Sequence, residues 1–133
     1  MVLLGCSLGP DADDEPRLVR TVLDRPPEYA GWWLEVQACS GLIGHLGQVR
    51  FLEVVQPVLA DGRQFPCGGG QYCNGMWEAP HDISLAPRYV HHERLVKHEM
   101  LHELVRTPGH PPVFQTCDAT WGSTFEVVPD GLP

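Results

Sequence analysis

Nowhere in its 133 residues does the sequence carry an apolar run approaching 18 residues, so it offers no transmembrane helix. Positive charge is scarce too: nine Lys and Arg stand against 17 Asp and Glu, for a net charge of −8. That balance excludes nucleic acid as a partner, because phosphate contacts need clustered Lys and Arg. There is no internal repeat and no low-complexity segment. Glycine (14) and proline (13) are plentiful, which predicts a loop-rich fold of short elements. The length suits one compact, monomeric domain with a single modest core.

Five cysteines are present, an odd number for an oxidising compartment. Four of them, Cys39, Cys67, Cys73 and Cys117, allow three pairings that sequence alone does not separate. Cys67 and Cys73 bracket "CGGGQYC", a glycine-rich loop that closes easily, which leaves Cys39 with Cys117. A thiolate zinc site is the rival, but five residues between Cys67 and Cys73 exceed the usual two to four. Two disulfides are expected, and with them an extracytoplasmic location. The fifth, Cys6, ends "LLGC", which resembles the bacterial lipobox, where such a cysteine is acylated. The resemblance implies a membrane anchor at Cys6, with residues 1–15 as signal-peptide remnant and tether, the tether being the acidic stretch that begins at Gly9; a disordered N-terminus with a free thiol is the alternative. Only five residues precede Cys6, too few for a complete signal peptide.

Residues 16–133 are expected to form an α+β domain. "DEPRLVRTVLDRPP" suggests a short helix with Asp14 as N-cap and Pro26-Pro27 as its stop. "WWLEVQACS" alternates and predicts a strand over 33–38, and "GQVRFLEVVQPV" predicts another over 48–55. The stretch from Ala60 to Pro80 reads as loop, followed by a short strand in "HDISLAP". The strongest helical pattern runs from Arg88 to Arg106. Val96, Met100, Leu101 and Leu104 gather on one side, while His91, His98 and His102 gather on another, with Glu99 at its edge. "HPPVFQTC" then suggests a further helical turn starting at its prolines.

"HEMLH" within that helix is an H-E-x-x-H pattern. Residues i and i+4 of one helix present two imidazoles on one face, within reach of a zinc ion about 2 Å from each. A catalytic zinc site wants a third protein ligand and one open position. His110 follows the Pro108-Gly109 break and can return to the same point. Glu99, beside the first ligand, is placed to take a proton from a water whose pKa the metal lowers, as that water attacks a carbonyl. His98, His102 and His110 are therefore the candidate Zn2+ ligands and Glu99 the candidate general base.

H-E-x-x-H followed after a short loop by G-H-x-x-x-F resembles the minimal zincin metallopeptidases, especially the SprT-like and WLM-type group. The likeness covers His98 to Phe114, and more loosely the strand before the helix. It implies a zincin-like fold, a small sheet of three or four strands packed on the active-site helix. It also implies zinc-dependent hydrolysis of peptide bonds, with substrate extended along an edge strand for which "DISLA" is the candidate. The metzincin pattern fits less well, since its glycine falls on Val105 and its third ligand on Pro108. A gluzincin ligand could only be Glu126. Members of the SprT-like group are mostly intracellular and several act at DNA, whereas this chain is acidic and cysteine-rich, so that role does not transfer. Tyr72, Tyr89 and His91 are conceivable oxyanion donors, but packing or solvation explains each more simply. Phe114 and Trp77 read as packing residues. A non-catalytic zinc-binding lipoprotein is the competing function, and the intact Glu99 argues against it.

Overall fold

The structure is a computed structural model and describes residues 17–121. Cys6, the tether, Asp14 and Glu126 lie outside the described residues. The elements run β1 (Val19–Val22), α1 (Glu28–Ser40), β2 (Arg50–Gln56), β3 (Phe65–Gly68), β4 (Gln71–Cys73), β5 (Gly75–Glu78), β6 (Asp82–Leu85), α2 (Glu93–Val105) and α3 (Val113–Thr120). The class is α+β. A mixed four-stranded sheet has the order β1-β2-β6-β5, and β3 and β4 form a separate hairpin. β2 and β6 are parallel; β1 and β5 flank them antiparallel.

Two expected elements are corrected. The segment before Pro26 is not a helix but contains β1, whose Val19, Thr21 and Val22 suit a strand and whose backbone pairs with β2. Pro26-Pro27 does not stop a helix; it starts α1, where a missing N–H costs nothing. The "WWLEVQACS" stretch is accordingly helical rather than a strand. The buried residues of α1 are Tyr29, Trp33 and Val36, spaced four and three apart, while Leu34 is 63% exposed. The period is helical, and the apparent alternation was incidental. Gly41, at φ +75°, closes α1 in the left-handed conformation and donates its N–H to Gln37 O at 2.8 Å.

The expected loop from Ala60 to Pro80 holds β3, β4 and β5. Gly68, Gly69 and Gly70 take positive φ and turn the β3–β4 hairpin, which the Cys67–Cys73 disulfide closes. A second disulfide joins Cys39, at the end of α1, to Cys117 in α3. Both expected pairings are therefore made, and they point to an oxidising, extracytoplasmic compartment. No described helix is long and apolar enough to cross a membrane.

The core lies between α2, α1 and the sheet, with Phe51, Val54, Ile83, Leu85, Val96 and Met100 at its centre. α2 is the most enclosed element: each residue from Leu95 to Glu103 is buried. It starts at Glu93 rather than Arg88, because Pro87–Tyr89 forms a separate 3-10 turn. The His92 imidazole then caps it, accepting from Leu95 N at 3.3 Å. The exclusion of His91 from the helix removes it from the imidazole face. It is exposed instead, 2.6 Å from the Glu28 carboxylate.

Candidate metal centre

α2 presents His98 and His102 one turn apart, their ring centroids 4.9 Å from each other. The helix stops at Arg106, which takes a left-handed conformation (φ +62°) and donates its N–H to His102 O. That reversal brings His110 back, so that the ligand atoms of His98, His102 and His110 all lie within 4.8 Å of one another. His98 Nε2 and His110 Nε2 are 3.3 Å apart. Two nitrogens about 2.0–2.1 Å from one tetrahedral zinc stand about 3.3–3.4 Å apart, so this pair already has the required spacing. His98 and His102 are buried and His110 exposed, which leaves the group open on one side.

Neighbouring groups set the chemistry of each ring. His102 Nδ1 lies 2.8 Å from the Thr107 carbonyl, to which it donates, so that its Nε2 is the free acceptor. That Nε2 is buried without a hydrogen-bond partner, an unpaid polar atom that a cation would satisfy. Burial lowers the His102 pKa to about 4; the positive charges of His98 and His110 act in the same direction, and the Thr107 carbonyl and Asp118 oppose them. The ring is thus held neutral, the form a metal requires. Asp118 of α3 faces His98 Nδ1 at 3.9 Å, an ion-pair distance longer than a hydrogen bond, and adds negative charge behind the ring. The Phe114 ring packs against all three imidazoles, with centroids 4.5 to 5.1 Å away, and supplies an apolar floor.

Glu99 is fully buried and neither of its oxygens has a hydrogen-bond partner of normal geometry. Burial raises its pKa to about 7, against the pull of His98 and of the Trp77 backbone N–H. The carboxylate lies against β5: a Cβ added at Gly75 would sit 3.1 Å from Glu99 Cγ and 3.3 Å from Oε2. Glycine leaves room for that close approach, and a Cβ would push the carboxylate by a few tenths of an ångström.

Three of the four candidate residues, His98, His102 and His110, therefore converge, while Glu99 follows His98 on α2 and lies against β5. The candidate edge strand does not hold: β6, the "DISL" segment, is interior, between β2 and β5, because β5 occupies the side left for substrate. β5 is the edge nearest α2. Tyr89 is buried against His92, and Tyr72 is a partly exposed hairpin residue, in keeping with packing and surface roles. Trp77 is buried and donates from Nε1 to Glu103 Oε1 at 2.7 Å.

Three residues escaped the sequence reading. Asp118 falls one helical turn after Phe114 on α3, a spacing that places it over the same site. Glu103 and Gly75 had no signal, since their partners come from β5 and α2, far apart in sequence. No family model, no curated protein and no solved structure matches the chain.

Proposed function

We propose that the protein is a zinc-dependent metallopeptidase with a zincin-like domain, acting on peptide or protein substrates in an oxidising extracytoplasmic compartment. The observation that carries this reading is the joint one: three converging imidazoles with a buried, unpartnered carboxylate beside them. A storage or structural metal site needs the imidazoles but not the carboxylate. Zinc fits the all-nitrogen donor set better than calcium or magnesium, which prefer oxygen. The lipobox-like segment before Cys6 supports anchoring at an envelope membrane.

His98, His102 and His110 would hold the ion. When bound, it supplies Lewis acidity, polarising a carbonyl and making a water acidic near neutral pH. Glu99, with a pKa near 7, is matched to take a proton from the attacking water and return it to the leaving amine. β5, as an edge strand beside Glu99, offers its outer edge for an extended peptide to add as a further strand. His102 is kept in one tautomer by Thr107, and the Asp118 carboxylate lies 3.9 Å from His98 Nδ1, close enough to favour a cationic site.

The test is metal analysis of the purified protein with peptide hydrolysis before and after chelation. We expect about one zinc per chain, loss of cleavage on chelation and recovery on adding zinc back. His110→Ala should weaken zinc binding. Tight zinc binding with no cleavage across a broad peptide library would leave a non-catalytic zinc protein instead.

A further inference from the structure

Beside the metal centre lies a cleft of about 280 Å³, one side of which is formed by His102 and Pro108. Met76 and Trp77 of β5 line it as well. The remaining lining comes from the β3–β4 hairpin, through the Cys67–Cys73 disulfide and Gln71. The cleft therefore touches both a candidate metal ligand and the edge strand on which a peptide would add. Successive side chains of an added strand point alternately to the two faces, so one of those flanking the reacting bond comes within reach of it.

Its size and chemistry narrow the occupant. At about 280 Å³ it falls just below the usual range of drug-sized pockets, about 300–1,000 Å³, and suits a single side chain. Apart from His102, its lining is a thioether, an indole, a disulfide, a proline ring and one uncharged amide. No Asp, Glu, Lys or Arg lines it, so a charged side chain would lose its hydration without gaining an ionic partner. A flexible thioether such as Met76 adapts to aliphatic and aromatic shapes alike.

We propose that this cleft is a specificity pocket taking an apolar side chain of substrate, of leucine, methionine or phenylalanine size, with the disulfide-closed hairpin as one wall. The inference rests on the metallopeptidase reading. It makes the Cys67–Cys73 hairpin a substrate-selecting element as well as a stabilising one.

The experiment is titration calorimetry of the zinc-loaded protein with leucine-, glycine- and lysine-derived hydroxamates, alongside mass-spectrometric profiling of peptide-library cleavage. The leucine probe should bind about 10–200-fold more tightly than the glycine probe, the span one apolar pocket supports. Met76→Trp should fill the cleft and bring that ratio close to one. Gln71→Glu, at an exposed hairpin position, should raise lysine-probe affinity relative to leucine even if the tryptophan variant fails to fold. Absence of a leucine-over-glycine preference in the wild type, or a ratio unmoved in both variants, overturns the pocket. Cleavage without apolar preference overturns the pocket alone and leaves the peptidase standing. Selective hydroxamate binding without cleavage keeps the pocket and removes catalysis.

Discussion

Glu99 and Glu103 stand one turn apart on α2, both buried, and their surroundings could hardly differ more. Glu103 Oε1 accepts from Trp77 Nε1, while Oε2 meets His81 Nδ1 at 2.6 Å and Arg106 at 3.1 Å. The Arg106 guanidinium also lies over the Trp77 ring. Glu99 has no side-chain partner, only the β5 backbone at Gly75 and the Trp77 N–H close against it. One carboxylate ties β5 and the turn before β6 to the helix; the other meets no side-chain donor. A buried carboxylate without partners costs stability, which makes it a sign of chemistry rather than of architecture. The helix thus separates holding from reacting over about 6 Å of its length.

The largest effect expected from breaking this contrast is on activity. Glu99→Gln keeps the shape and removes the base, so hydrolysis should fall by about 10²–10⁴-fold with zinc content retained. Denaturant unfolding of the same variant should show stability unchanged or raised by up to about 1 kcal/mol, because an unsatisfied charge is gone. Unchanged proteolysis would refute the mechanism. Glu103→Gln should behave in the opposite way: the network loses its buried charge, and because Arg106 and His81 are partly exposed the cost is about 1–2 kcal/mol of folding free energy. If Glu103→Gln unfolds no more easily than Glu99→Gln, the two carboxylates do not divide the roles as described.

Smaller effects sharpen the picture around the rings. Asp118→Asn removes the charge facing His98 and should weaken zinc affinity by about 10–100-fold in chelator competition, with the fold intact by circular dichroism. An unchanged affinity would reduce Asp118 to a surface residue. Gly75→Ala forces Glu99 to shift by a few tenths of an ångström, and kcat should drop about tenfold, with zinc binding unaltered. An alanine variant with full activity would show that Glu99 has room to spare.

Most of the candidate site could be read from one short segment, because a helix converts sequence spacing directly into spatial neighbourhood. His98, Glu99 and His102 sit within five residues, and a Pro-Gly break announced the return of His110. The elements misread, β1 and α1, failed for a different reason. "WWLEVQACS" satisfies a two-residue and a helical period at once, and Pro26-Pro27 serves equally as a stop or a start. Only burial of Tyr29, Trp33 and Val36 against the core chooses between them.

By itself, then, the sequence determined the local chemistry: the imidazole pair and its glutamate, the easily closed cysteine loop, the acidic balance, the helix that carries the motif. Tertiary structure decided what depends on partners distant in the chain. It placed β6 inside the sheet and β5 at its edge, set Asp118 behind His98, and surrounded Glu103 with side-chain donors while giving Glu99 none. Those outcomes turn on strand order and on which side chains meet across 20 or more residues of chain. Periodicity reports which face of an element is buried, but not which element lies opposite.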